Sequence, residues 1–99
     1  MLKHKDIHIH PGEILLEDVI KPADLTIGKA AGMLKISRLT LSKIVNKRRG
    51  ITPNIALRLE AVFGGTAEFW LRLQRIYDLE EARRNLSENP LHLSKFNYV

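Results

Sequence analysis

The chain has no cysteine, no long apolar run and, over about a third of its length, no acidic residue. The absence of cysteine excludes disulfides and cysteine-ligated zinc. No apolar stretch approaches the roughly 20 residues that a membrane-spanning helix needs. The first 13 residues also lack the apolar core of a signal peptide. We therefore expect one soluble domain in the cytoplasm.

Acidic side chains are missing between Asp24 and Glu60, where eight basic side chains lie. These are Lys29, Lys35, Arg38, Lys43, Lys47, Arg48, Arg49 and Arg58. Because the whole chain is only +5, the remainder carries a net charge of −3. Segregated positive charge is typical of a surface that binds a polyanion. A solvated face of a helical bundle explains the charge alone at least as well, so the choice depends on the helix pattern.

Capping residues and apolar spacing predict five helices. They begin at His10-Pro11, Thr26, Ser37, Thr52-Pro53 and Thr66, each start offering a cap and two of them a proline at the first helical position. The second helix is expected to bury Ala30, Ala31, Met33 and Leu34, and Gly64-Gly65 to end the fourth helix in the left-handed conformation. The predicted domains are an arm (1–10), a helical domain (11–86) ending in a dimerisation helix (66–86), and a tail (87–99).

The third helix has the pattern of a DNA-reading helix. Leu41 and Ile44 face inward, while Arg38, Leu39 and Lys43 project from the other side near its N-terminus. A helix fits the major groove, where Arg or Lys recognises guanine and an apolar side chain contacts the thymine methyl. The free N–H groups at the helix start suit a phosphate. With these features, the polyanion interpretation is favoured over a merely solvated face.

Three segments carry a family resemblance. LTIGKAAGMLKISRLTLSKI at 25–44 resembles the helix-turn-helix of the Cro/phage-repressor (XRE) family. HPGEILLEDVI at 10–20 and ITPNIALRLEAVFGGTAEFWLRLQRIYDL at 51–79 resemble the HigA-type antitoxins, also called virulence-associated protein I. The resemblance covers about residues 8–85. It implies an all-α, five-helix, lambda-repressor-like DNA-binding domain with its helix-turn-helix at about 26–46.

The resemblance also implies a function. It predicts a homodimeric repressor that binds double-stranded operator DNA of its own operon and neutralises a RelE/HigB-like, mRNA-cleaving toxin, without a cofactor or an enzymatic activity. The implied base-reading residues are Arg38, Leu39 and Lys43. The residues implied near the DNA backbone are Ser37, Thr40, Ser42 and Asn46, with Lys47, Arg48 and Arg49 adding phosphate contacts. Two positions depart from the family pattern: Ile27 stands where many relatives have a phosphate-binding Gln, and Lys35 where many have Gly.

The sequence also bears on other functions. A stand-alone XRE-family regulator with no cognate toxin fits the sequence equally well. An enzyme is disfavoured because no nucleophile, base and orienting group form a set. His4, His8 and His10 invite a metal site, but no carboxylate joins them at convincing spacing, so a solvated arm is preferred over a metal site. The alternation of Ile7 and Ile9 with His8 and His10 also suits a short strand or a docked arm.

Two surfaces suggest protein partners. The last helix has apolar residues on a second side (Leu71, Leu79, Ala82 and Leu86), which favours a homodimer contact over a fold-back of the apolar tail. The first helix and the loop after it carry Glu13, Glu17, Asp18 and Asp24. A basic toxin is one occupant for that acidic surface, and an ordinary solvated face is the simpler explanation.

Overall fold

The structure is a computed structural model that describes residues 8–98. It contains α1 (Pro11–Ile14, continued by a π-helical segment, Leu15–Ile20), α2 (Ile27–Leu34), α3 (Arg38–Val45), α4 (Pro53–Phe63) and α5 (Ala67–Glu88). No strand occurs within that range. The all-α prediction with five helices is confirmed.

Each helix begins where the sequence supplies a cap. The hydroxyls of Thr26, Ser37, Thr52 and Thr66 each accept the backbone N–H three residues further on. At α1 the cap is an imidazole, since Nδ1 of His10 accepts the N–H of Gly12 at 2.9 Å. Caps of the Ser/Thr type contribute about 1 kcal/mol each, so these five side chains fix the helix boundaries.

The second half of α1 is wound more loosely than the sequence suggests. The N–H of Lys21 donates to the carbonyl of Leu16 at 2.9 Å, five residues back, as in a π-helix. Leu15 and Ile20 are also five residues apart, and both are fully buried. In an α-helix they would lie about 140° apart around the axis. The wider turn therefore brings both side chains onto the core side.

The core lies between α1, α2, α3, α4 and the start of α5. Its fully buried large side chains include Leu15, Ile20, Leu34, Leu41, Ile44 and Leu59, and Trp70 of α5 closes one end. The prediction of a buried Met33 is wrong, because its side chain is 48% exposed. Phe69 is also 44% exposed and rests edge-on against the buried Trp70.

α5 is longer than predicted, and its second half extends past the core. It continues to Glu88, so the tail begins after residue 88 rather than at 87. Residues 90–98 are irregular, with Leu91, Leu93, Phe96 and Tyr98 exposed.

In the loop between α4 and α5, Gly64 has φ 85° and ψ −169°. The helix stops where predicted, but Gly64 is not in the left-handed helical conformation. No helix within residues 8–98 is long and apolar enough to cross a bilayer.

The end of the arm packs onto α5 instead of lying in solvent. Residues 1–7, including His4, lie outside the described range. The ring of His8 stacks on Tyr77 at 4.6 Å, and its Nε2 contacts the Glu81 carboxylate. His10 is only 3% exposed and meets Tyr77 edge-on at 4.7 Å. The prediction of a solvated arm is therefore wrong for this segment, because Tyr77 of α5 packs against both rings.

Candidate nucleic-acid interface

The turn between α2 and α3 places a lysine in a conformation that usually belongs to glycine. Lys35 has φ 58° and ψ 38°, and its N–H donates to the carbonyls of Ala31 and Gly32. The N–H of Ile36 reaches the carbonyl of Ala31 at 3.1 Å. These bonds close the end of α2, and Ser37 then starts α3 in an extended conformation. A lysine in the left-handed conformation costs about 1 kcal/mol or more of backbone strain.

The inner face of α3 is locked to the core. Leu41 and Ile44 are fully buried. Behind them, α1 approaches so closely that a Cβ on Gly12 would lie 1.8 Å from the carbonyl oxygen of Ile44. On the α2 side, the small Ala31 is 1% exposed, as a close helix crossing requires. The rotation of α3 about its axis is therefore fixed, which determines the side chains that face outward.

The outward edge of α3 carries the three side chains that the sequence marks for base reading. Arg38, Leu39 and Lys43 are all exposed, and Leu39 is 64% exposed despite being apolar. Leu39 and Lys43, four residues apart, lie on the same side of α3, and Arg38 lies about 100° from Leu39 around the helix axis. The three side chains thus form one outward edge of α3, about 140° wide, from which they can enter a groove.

The polar residues beside this edge are oriented by one another. The Ser37 hydroxyl accepts the Thr40 N–H at 3.0 Å and donates to Thr40 Oγ1 at 2.8 Å. Asn46 Nδ2 donates to the Ser42 carbonyl at 2.8 Å and to its hydroxyl at 3.3 Å. Because Ser37 is occupied as a cap, the free N–H groups of Arg38 and Leu39 are the stronger candidates to receive a phosphate.

The basic loop after α3 is fastened at both ends. Lys47 has φ 64°, and the N–H of Arg48 donates to the Lys43 carbonyl at 2.8 Å. At the far end, the Ile51 N–H donates to Oε1 of Gln74 at 2.7 Å. Lys47, Arg48 and Arg49 remain exposed between these anchors. The sequence does not predict the contribution of Gln74, since a lone Gln on an amphipathic helix gives no signal of a distant loop.

The basic residues of this region are not held by ion pairs. None of the four ion pairs within residues 8–98 involves a residue between 25 and 59. Seven of the eight Lys and Arg residues are exposed, the exception being Arg58. The guanidinium of Arg58 donates to Asn54 and to the carbonyls of Leu34 and Lys35. The positive face is therefore made of seven side chains and not eight.

Ile27 occupies the position where a phosphate-binding Gln would lie, and it packs partly against the core. Its aliphatic side chain has no hydrogen-bond donor, so the start of α2 offers a phosphate only the free backbone N–H groups of its first turn.

No group of three metal-ligating side chains occurs within residues 8–98.

This arrangement of two capped helices at a tight turn defines a helix-turn-helix protein, and the helix-turn-helix family profile matches residues 16–71. Virulence-associated protein I of Dichelobacter nodosus is 46% identical over 77 residues, covering 78% of this chain and 71% of the relative. The chain belongs to the family of HigA-type antitoxins and virulence-associated protein I. Other relatives are named as an HTH-type transcriptional regulator of Escherichia coli and an antitoxin HigA-1 of Vibrio cholerae.

Solved structures agree with this assignment. Antitoxin GraA is 32% identical with a TM-score of 0.84, covering 90% of this chain and 97% of its own. The antitoxin HigA of Pseudomonas aeruginosa with the higBA promoter is 35% identical with a TM-score of 0.83, again covering 90% and 97%. The predicted lambda-repressor-like fold is confirmed by these likenesses.

Proposed function

We propose that this protein is an antitoxin that binds its own operator DNA and represses its operon from the cytoplasm. The observation that carries the proposal is the exposed edge of Arg38, Leu39 and Lys43 on a helix whose rotation is fixed by its buried face. The acid-free region carries seven exposed cations, two of them on that edge, and their charge complements that of a phosphate backbone. The structural likeness to a HigA antitoxin with its promoter supports the same function.

On operator DNA, α3 enters the major groove with its N-terminal half. Arg38 and Lys43 donate to guanine O6 and N7, and Leu39 packs on a thymine methyl. Ser37, Thr40, Ser42 and Asn46 line the adjacent phosphates. Lys47, Arg48 and Arg49 hold the backbone beyond the helix end, which sets the register without reading sequence.

The test of this assignment compares two kinds of variant on the same DNA. Fluorescence anisotropy with the chain's own upstream DNA and with random DNA should show specific binding by the wild type. The double variant Arg38→Ala, Lys43→Ala should lose the preference for the operator. Lys47→Ala should lower the affinity for both DNAs by the same factor and lower the slope of log K against log salt by about one. Retained operator preference in the double variant would remove these residues from the reading edge.

We propose a homodimer that uses the second apolar side of α5. Leu71, Leu79 and Ala82 line a shallow groove there, beside Gln74, Arg75 and Asp78. Leu79 is 48% exposed in the single chain, and a second copy would cover it. The dimer would set two α3 helices about 34 Å apart, the spacing of successive major grooves.

Leu79 and Leu91 make a matched pair for testing the dimer, because both are exposed leucines near the C-terminus. Light scattering should give a dimer for the wild type and for Leu91→Glu, and a monomer for Leu79→Glu. Operator affinity should fall with Leu79→Glu only. A monomeric wild type at micromolar concentration, or dissociation caused by Leu91→Glu, would contradict the α5 dimer.

We propose a RelE/HigB-like toxin as the second protein partner. The acidic residues of α1 and its following loop (Glu13, Glu17, Asp18 and Asp24) are all exposed and lie in a different part of the sequence from the DNA-reading helix. A basic ribonuclease would find complementary charge there. Pull-down of the tagged chain from its source cell should recover a small basic protein, and Glu13→Lys with Asp18→Lys should release it. Recovery of operator DNA without such a protein would favour the stand-alone regulator.

A further inference from the structure

Arg58 differs from the other basic residues of the acid-free region in where its charge is used. Its Nη1 donates to the carbonyl of Leu34 at 2.9 Å and to that of Lys35 at 3.0 Å. Its Nε donates to Oδ1 of Asn54 at 2.7 Å, one turn earlier on α4. One guanidinium thus joins α4 to the last carbonyls of α2, at the turn that leads into α3.

The two carbonyls need such a partner. The final C=O groups of a helix have no partner within it, and they form the negative end of the helix dipole, where a cation is favoured. Lys35 is in the left-handed conformation, which leaves its carbonyl outside the regular ladder. The Arg58 guanidinium supplies both the hydrogen bonds and the positive charge at this point.

The α4 end of this connection is rigid. Ala56 and Leu59, close to Arg58 in sequence, are fully buried and hold α4 in the core. The hydrogen bond from Nε to Asn54 fixes the plane of the guanidinium group. Because this group is planar and rigid, the directions of its other N–H donors are then fixed as well. A lysine ammonium is a single point of donation on a flexible stem and cannot bind Asn54 and both carbonyls in the same way.

We propose that Arg58 is a positioning residue for DNA reading: it sets the angle between α2 and α3 and does not touch DNA. This inference rests on the proposed function and deepens it. Loss of the guanidinium should let the turn open, so that Arg38, Leu39 and Lys43 meet the groove in the wrong orientation. The nonspecific contacts of Lys47, Arg48 and Arg49 should persist, because their loop is held from Gln74 and not from Arg58.

The experiment compares Arg58→Met with Arg49→Met, two variants that remove the same side chain and the same charge. Affinity for operator and for random DNA is measured across a salt series. Arg58→Met should lose about tenfold of operator affinity with random-DNA affinity and salt slope unchanged. Arg49→Met should lower the affinity for both DNAs and lower the salt slope by about one. Arg58→Lys should recover only part of the loss.

Three results would overturn the inference. Operator binding by Arg58→Met equal to the wild type would show that the turn does not depend on Arg58. A salt slope lowered as in Arg49→Met would make Arg58 a phosphate ligand. Equal loss on both DNAs at unchanged slope, relieved by cooling, would indicate general destabilisation only.

Amide hydrogen exchange separates this inference from the proposed function. In Arg58→Met the amides of Ile36, Thr40 and Leu41, which are bonded across the turn and the start of α3, should exchange faster while those of α5 do not. That result stands even if the wild type shows no operator preference, in which case the DNA assignment fails and the positioning of the turn is kept. Unchanged exchange at all three amides would contradict the inference whatever the DNA result.

Discussion

Gly12 lies against the backbone carbonyl of Ile44, in the closest approach of α1 to α3. A Cβ at position 12 would be 1.8 Å from that oxygen and 2.6 Å from its carbon. Because both contacts are with backbone, no side-chain rotation can relieve them. Gly12 belongs to the first turn of α1, just after the His10 cap, so one residue type at the start of α1 determines where α3 lies.

Gly12→Ala is expected to destabilise the protein by more than about 3 kcal/mol, since α1 must move away from α3 to admit the methyl group. Urea denaturation followed by circular dichroism measures the change. Gly32→Ala is the matched control: nothing lies within 4 Å of its Cβ position. In the middle of α2 that substitution should stabilise by about 0.5–1 kcal/mol. Two changes of the same sign would contradict this packing.

Gly50→Ala tests the anchor of the basic loop. Its Cβ would lie 2.8 Å from Nε2 of Gln74, the residue that accepts the Ile51 N–H. Gln74 would have to move, and the loss of that hydrogen bond should cost about 1 kcal/mol. Gln74→Ala should cost about as much by the same route, and the double variant should cost less than the two added together. Strict additivity in the same denaturation measurement would mean that the two residues act independently.

The His10 cap predicts a dependence of stability on pH. Burial lowers the pKa of His10, with the Lys47 charge acting in the same direction and the charges of Asp78 and Glu13 opposing it. The folded state thus prefers the neutral ring, whose Nδ1 accepts the Gly12 N–H. The stabilisation is present above the unfolded pKa of about 6.5 and is lost as pH falls through the lower folded pKa.

Asn at position 10 can cap without titrating, so His10→Asn is the control. The free energy of unfolding is measured from pH 8 to pH 5. Below about pH 6.5 it should decrease more steeply for the wild type than for His10→Asn. Parallel curves for the two proteins would show that protonation of His10 is not coupled to folding.

Lys35→Gly should stabilise the fold by about 1 kcal/mol, because glycine adopts the left-handed conformation at no steric cost. Lys35→Ala removes the same amine but keeps the Cβ, so it should bring no gain. Thermal melting of the three proteins measures the difference. A gain from Ala equal to that from Gly would trace the effect to charge in the basic face, not to backbone strain.

The features that the sequence predicts well are those with a local physical signal. Thr26 and Ser37 mark the starts of the two helices of the helix-turn-helix because capping acts over three residues, and Leu41 and Ile44 orient α3 because apolar spacing has a helical period. The same spacing misplaces Met33, since an apolar side chain at a helical period does not reveal that no neighbouring helix covers it.

Other features depend on distant partners and could not be predicted. The sequence groups Arg58 with the basic face because its acceptors, the carbonyls of Leu34 and Lys35, lie more than twenty residues away in sequence. His10 is recognisable as a cap, but its burial against Tyr77 needs the position of α5. The π-helical winding of Leu15–Ile20 follows from where the core lies and has no signature of its own in composition.

The separation of charge along the chain has a kinetic consequence. Seven exposed cations lie between residues 25 and 59, and the remainder of the sequence is acidic. We therefore expect the molecule to carry an electric dipole as well as a net charge. The electric field of DNA would orient such a molecule before the two make contact. A larger fraction of collisions would then bring α3 to the DNA first. The association rate should then fall with added salt even for a variant whose bound-state contacts are intact. Under the proposed function, the charges assigned to hold the operator would thus also shorten the search for it.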